Sequence, residues 1–192
     1  MNLALIGMRG VGKSNISRRL AFLTKRPVLS TDLLVEYETG YTIPEYVADH
    51  GWGSFRMREL AVIERLAAME HVIVDCGGGI VVDVDPDTGL EVYGEDKVAA
   101  LQARGPVVWL RGDIDRLAAK TAGDASRPSL SDDLPMTELM RRREPFYRTA
   151  ADVVIDVEGR KRSVMAIDLA LQFAEELGLA DDLVRRIERK RP

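Results

Sequence analysis

Short apolar runs alternate along this chain with segments whose apolar residues recur every three or four positions. Leu3-Ala4-Leu5-Ile6 makes residues 2–6 a buried parallel strand. Residues 14–24 then read as a helix with Ile16, Leu20 and Leu23 on one face. A second strand spans 27–30, and residues 32–38 make a helical turn or two that stops near Gly40. Residues 43–50 form a short helix closed by Gly51, and 54–69 a long one carrying Phe55, Leu60, Ile63 and Leu66. A third strand covers 71–75 and breaks at Gly77-Gly78-Gly79. Residues 80–93 predict a β-hairpin around a Pro-Asp-x-Gly turn at 86–89. A helix at 94–104, a strand at 106–110 and a short helix at 114–120 follow. Residues 121–134 read as a mobile loop. Residues 136–150 are helical up to a break at Glu144-Pro145, and a fifth strand covers 153–157. A helix at 163–177 ends at Gly178, and a short charged helix or frayed tail covers 183–190.

Strands alternating with helices imply one α/β unit over residues 1–192, with a mostly parallel sheet covered on both faces. Ligands of such sheets bind at the carboxyl ends of the strands. That places residues 7–14, 30–32, 75–79 and 111–113 along one edge.

The chemistry starts at Gly7-Met8-Arg9-Gly10-Val11-Gly12-Lys13-Ser14, which fits G-x-x-x-x-G-K-[ST]. Strand, glycine loop and helix is the context that this phosphate-binding motif requires. Glycines let successive N–H groups turn toward one anion, and the helix adds its positive end. Gly10, Val11, Gly12, Lys13, Ser14 and Asn15 are therefore the candidate nucleotide contacts. Lys13 is placed to reach the β- and γ-phosphates, and the Ser14 hydroxyl to sit on Mg²⁺.

At the other strand ends, Asp32 is a candidate for holding substrate hydroxyls or accepting a proton, with a helix N-cap as the plain alternative. Asp75 ends the third strand as a metal-binding aspartate does, or as a turn residue does. Gly77, Gly78 and Gly79 suit close backbone approach to a ligand. Arg56, Arg127 and Arg143 offer forks matched to carboxylate or phosphate, and Arg127 lies in the mobile loop. Together they ask for an anionic second substrate.

Composition narrows this. The chain is 46% hydrophobic with a net charge of −4, which excludes a global pull toward nucleic acid or anionic membrane. One cysteine, Cys76, rules out an internal disulfide and suits the cytoplasm. A core strand from residue 2 predicts no signal peptide, and no run reaches the length of a membrane span. His50 and His71 read as structural, Cys76 as a buried small residue, and Asp83, Asp85 and Asp87 as hairpin residues rather than a calcium loop.

Together these motifs resemble the shikimate kinase family. The resemblance runs from Asn2 to about Leu177. Its specific part is Ser30-Thr31-Asp32, then Thr39-Gly40-Tyr41-Thr42-Ile43, then Gly53-Ser54-Phe55-Arg56 with Glu59. Gly77-Gly78-Gly79, Arg127-Pro128-Ser129-Leu130 and Arg143-Glu144-Pro145-Phe146-Tyr147 are similar to the family's glycine triplet, lid and R-x-P-x-Y motif. The resemblance implies a three-layer α/β/α P-loop kinase fold with a mostly parallel five-stranded sheet. It implies ATP- and Mg²⁺-dependent transfer of a phosphoryl group to the 3-hydroxyl of shikimate, in aromatic amino-acid biosynthesis. Lys13, Asp32 and Arg127 would be catalytic, and Lys120 would lie against the adenine. Asp32, Arg56, Arg143 and the glycines at 77–79 would hold shikimate, within a substrate segment at about 31–60 and beneath a lid at about 121–134. A monomer is expected, with a weak dimer as the alternative.

Ser30 stands where the family carries an aspartate associated with the metal, and Asp75 stands where a small or uncharged residue is common. The expectation is that Asp75 replaces that carboxylate, so Ser14 and Asp75 are the candidate metal residues. The hairpin at about 80–93 is longer than the usual connection, and Ser129 departs from the lid pattern. The rival readings are a kinase of another hydroxylated acid, such as gluconate, and a nucleotide-binding regulatory module without turnover.

Overall fold

The computed structural model describes residues 1–122 and 134–191. In chain order its elements are β1 (Leu3–Ile6), α1 (Lys13–Thr24), β2 (Val28–Ser30), α2 (Thr31–Thr39), α3 (Ile43–Ala67), β3 (Ile73–Asp75), β4 (Val82–Val84) and β5 (Glu91–Tyr93). They continue with α4 (Glu95–Gln102), β6 (Val107–Arg111), α5 (Ile114–Thr121), α6 (Met136–Ala150), β7 (Val153–Asp156), α7 (Arg162–Gln172) and α8 (Asp181–Glu188).

The strands β2, β3, β1, β6 and β7 lie side by side in that order and all run parallel. The central strand β1 is apolar throughout and fully buried, as a strand covered on both faces must be. From β1 the chain moves one way to β2, then returns through β3 and crosses to β6 and β7. Right-handed crossovers put α1 on one face and the helices of the return path on the other. The packing agrees, with α1 against α7 and α3 against α4. The direction reverses beside β1, so a crevice opens at its carboxyl end. Gly7 to Gly12 occupy that place.

Local chemistry explains most boundaries. Thr42 and Glu45 form a reciprocal capping box at the start of α3. Gly40 ends α2 in the left-handed conformation that glycine adopts without cost. Gly51 breaks the helical path inside α3, at φ 77° and ψ 167°, so the two helices read from the sequence follow one another across a kink. The Tyr46 and Ser54 hydroxyls bond across it at 2.9 Å. The extra hairpin forms as expected, with β4 and β5 antiparallel and Val82 opposite Tyr93. The Asp85 carboxylate closes its turn by accepting from the amides of Asp87 and Thr88 and the Thr88 hydroxyl.

Two expectations fail. Pro145 does not break α6, which runs through it to Ala150. A proline removes one helical N–H, but Tyr147 beyond it is completely buried and holds the last turn in place. The helix before Gly178 stops early, at Gln172. The next residues continue as turns that bury Phe173 and Leu177, so apolar spacing persisted where regular helix did not.

Candidate active site

The phosphate side of the cleft is built from backbone. Gly10 and Gly12 have φ of 81° and 104°, values that a side chain would strain. A Cβ on Gly7 would lie 2.6 Å from the Leu110 carbonyl, so only glycine passes there. Gly12 is the N-cap of α1 and supplies no side-chain cap, which leaves the first amides of the helix to a ligand. Three cations donate to loop carbonyls. Lys13 Nζ donates to Gly7 O at 2.7 Å, Lys120 Nζ to Gly10 O at 2.8 Å, and Arg162 Nη2 to Val11 O at 3.2 Å. These bonds fix the loop, whose successive backbone N–H groups can form an anion-binding concavity. Ser14 and Asn15 border the same pocket, and the Asn15 side chain accepts from Arg19 at 2.8 Å.

The other side of the cleft is built from side chains. Arg56 projects from α3 and is 3% exposed. Its Nη1 donates to Glu59 Oε2 at 2.6 Å, and Lys97 from α4 donates to the same oxygen at 3.1 Å. Lys97 also donates to the Val82 carbonyl of the hairpin. Burial alone would raise the Glu59 carboxyl, but Arg56 and then Lys97 hold it below its ordinary value. Burial lowers Lys97, and Glu59 opposes that shift. The Trp52 and Phe55 rings lie 5.1 and 5.4 Å from the Arg56 guanidinium carbon. Arg56 Nε is buried without a hydrogen-bond partner among the described residues, a donor left for a ligand. Arg143 on α6 pairs side-on with Glu91 of β5 through Nε at 2.9 Å and through Nη2.

Side chains crowd Gly77 and Gly79, while a Cβ on Gly78 would meet only ordinary contact, 3.5 Å from the Arg9 amide nitrogen. A Cβ on Gly77 would lie 2.2 Å from Asp32 Oδ1, and one on Gly79 would lie 2.6 Å from Arg56 Nη2. The Gly77 amide donates to Thr31 Oγ1 at 2.8 Å, and the Gly78 carbonyl accepts from the buried Tyr147 hydroxyl. Burial pushes that phenol above its ordinary value, so it stays protonated as a donor. Asp32 is not the N-cap of α2. Ser30 is, accepting from the Leu33 amide at 3.4 Å, while Asp32 lies in the first turn and is 8% exposed.

The two sides meet. Arg9, Asp32 and Gly78 line both the pocket over the loop and the pocket that contains Arg56 and Arg143. The loop pocket encloses about 400 Å³, within the roughly 300–1,000 Å³ typical of ligand sites. Ser30 and Asp75 border it as partners in register on adjacent strands. Asp75 Oδ1 is buried with no hydrogen-bond partner among the described residues. With Ser14 nearby, these oxygens fit a hard cation that takes only one or two carboxylates from protein. Cys76 is buried, and burial raises its thiol well above the ordinary value, consistent with an inert residue. Arg111 and Asp113 lie at the same sheet edge but line a neighbouring cavity, with Arg111 paired to Asp156 and Asp113 capping α5. Arg127 and the lid sequence fall outside the described residues.

Arg9, Lys97, Glu91 and Arg162 join the site without having been singled out from the sequence. Arg9 stands at a variable position of the loop motif. Lys97, Glu91 and Arg162 carry no local signal, because only the chain path brings them to the cleft.

A phosphate loop at the switch point of a parallel sheet, joined to an arginine-lined pocket, defines a P-loop kinase of a small molecule. A profile of shikimate kinases matches residues 9–174. The chain is 41% identical to a shikimate kinase of Leptospira biflexa over 152 residues, covering 79% of this chain and 83% of that one. It is 35% identical to a shikimate kinase of Pseudomonas syringae over 177 residues, covering 91% and 96%. A shikimate kinase from Acinetobacter baumannii, solved in complex with shikimate, superposes with a TM-score of 0.77 at 29% identity, covering 92% and 94%. This chain belongs to the shikimate kinase family.

Proposed function

We propose that the protein transfers the γ-phosphoryl group of ATP to the 3-hydroxyl of shikimate, giving 3-phosphoshikimate and ADP. One observation carries the reading: an arginine-lined acid pocket opens into the phosphate-loop pocket through shared walls at Arg9, Asp32 and Gly78. A carboxylate on Arg56 and Arg143 and a nucleotide on the loop would bring hydroxyl and phosphate together at Asp32.

In this reading the loop amides and Lys13 hold the β- and γ-phosphates. Arg56 and Arg143 clamp the carboxylate and so fix the ring. Asp32 holds the ring hydroxyls and accepts the proton of the attacking one at a carboxylate oxygen. The hydroxyl oxygen bonds to the γ-phosphorus as the bond to the bridging oxygen of ADP breaks. Lys13 stabilises the charge that spreads over the transferring group, and Arg127 is assigned the same task from the lid. Lys120, bonded to the Gly10 carbonyl of the loop, is assigned a position against the adenine. Ser14 and Asp75 are the residues assigned to hold Mg²⁺, which when bound would supply charge neutralisation at the phosphates. This reading places the activity in the cytoplasm and treats the chain as a monomer.

A coupled ADP-release assay with ATP and Mg²⁺ tests it, with shikimate, gluconate, quinate or buffer added. Shikimate-dependent turnover well above the other acceptors is expected. Equal rates with gluconate, or ATP binding without turnover on any acceptor, would overturn it. The metal assignment has its own test. Calorimetry should show that Mg²⁺ tightens ADP binding to the wild type and that Asp75→Asn removes most of that gain. An unchanged gain would remove Asp75 from the metal site.

A further inference from the structure

We infer that Glu91, on the β4–β5 hairpin, is a positioning residue that aims Arg143 for carboxylate recognition. The inference rests on the shikimate kinase reading of the pocket. Arg9, Arg56 and Arg143 line one small space, and like charges so close repel unless each is held. Arg56 has its own carboxylate in Glu59. Arg143 has one too, supplied by Glu91, 52 residues away in the chain. The Arg143 and Glu91 side chains are only 14% and 18% exposed, so solvent screens the pair weakly. Glu91 takes the Nε–Nη2 edge of the guanidinium. That leaves the Nη1–Nη2 edge to meet a second carboxylate end-on, with the fork already oriented.

The hairpin is seated for this. Glu91 and Tyr93 share one face of β5, two residues apart. Arg143 and Phe146 share one face of α6, three residues apart. The Tyr93 and Phe146 rings lie 5.8 Å apart, next to the Glu91–Arg143 pair. The opposite strand acts on the other arginine, because the Val82 carbonyl holds Lys97, which holds Glu59, which holds Arg56. One hairpin thus braces Arg56 and Arg143, two of the three arginines of the pocket.

The test is steady-state kinetics of the full-length Glu91→Gln variant with shikimate and with its methyl ester, which lacks the carboxylate charge. KM for shikimate should rise about tenfold, as expected for loss of an orienting charged bond. The kcat and the KM for ATP should hold within about twofold, and the preference for acid over ester should fall by the same tenfold. In an Arg143→Lys background, Glu91→Gln should add nothing further. Glu91→Asp, too short to reach both nitrogens, should behave like Glu91→Gln at unchanged melting temperature. Equal losses on acid and ester would reduce Glu91 to a structural role. A lower KM for shikimate would show that Glu91 competes with the substrate, and either result overturns the inference. Failure of the wild type to phosphorylate shikimate would instead count against the functional reading.

Discussion

The candidate phosphate pocket is walled largely by one contiguous stretch, residues between Arg9 and Asn15. The acid pocket beside it gathers side chains from the loop after β1, α2, α3 and α6, and α4 and the hairpin back them through Lys97 and Glu91. Backbone amides need only a loop of the right shape, so glycines and a helix start suffice. A carboxylate pocket needs several arginines close together, and their repulsion must be cancelled by carboxylates from other segments. Glu59 and Glu91 do that here, with Lys97 locking Glu59. In the second kind of site, removing a partner leaves a buried charge poorly compensated.

The largest expected effect attacks the acid side. Lys97→Met leaves Glu59 buried with one cation in place of two and leaves the Val82 carbonyl without its donor. Removing one partner of a buried ion network costs about 3–5 kcal/mol, read as a lower midpoint in urea unfolding. ATP affinity of the folded variant should hold while KM for shikimate rises. A matching loss of ATP affinity would show that the two halves are not independent.

Lys13→Ala attacks the other side. We expect kcat to fall about 10²–10³-fold, the cost of losing a donor aimed at developing charge. Shikimate affinity, measured by calorimetry without nucleotide, should be unchanged. A loss there would mean that Lys13 also shapes the acid pocket.

Acid separates the halves more gently. The Glu59 carboxyl lies below its ordinary value near 4.5, held there against burial by Arg56 and Lys97. A depressed carboxyl contributes stability that is fully present above the unfolded value. That stability is lost as pH falls through the folded value, where the unfolded chain binds more protons. Melting temperature should therefore fall as pH drops below about 4.5. The slope should be shallower in Glu59→Gln, whose baseline stability is lower. Identical slopes would place the acid sensitivity elsewhere.

The contrast also explains what could be read in advance. The phosphate loop was legible because its residues are contiguous and its chemistry needs a fixed spacing. Asp32, Arg56, Arg143 and the glycine triplet were legible from strand-end position, arginine chemistry and family resemblance; Asp32, Arg56, Arg143, Gly78 and Gly79 line the cleft, whereas Gly77 does not and is bonded instead to Thr31. Glu91 and Lys97 were not, since a glutamate in a short strand and a lysine in a helix look solvated in any local window. Pro145 misled for the related reason that a local breaker lost to tertiary packing around Tyr147.

Sequence alone determined the alternation of strands and helices, the phosphate loop at the end of the first strand, and the hairpin at 80–93. Each follows from periodicity, glycine geometry or turn chemistry acting over a few residues. Only the tertiary structure decided that the hairpin stands against α6 and α4, that Lys97 lies inside, and that Ser30 and Asp75 face one pocket across a strand register. Those outcomes depend on which distant segments share a buried space, where desolvation makes an unpaired charge costly and pairing decides the arrangement.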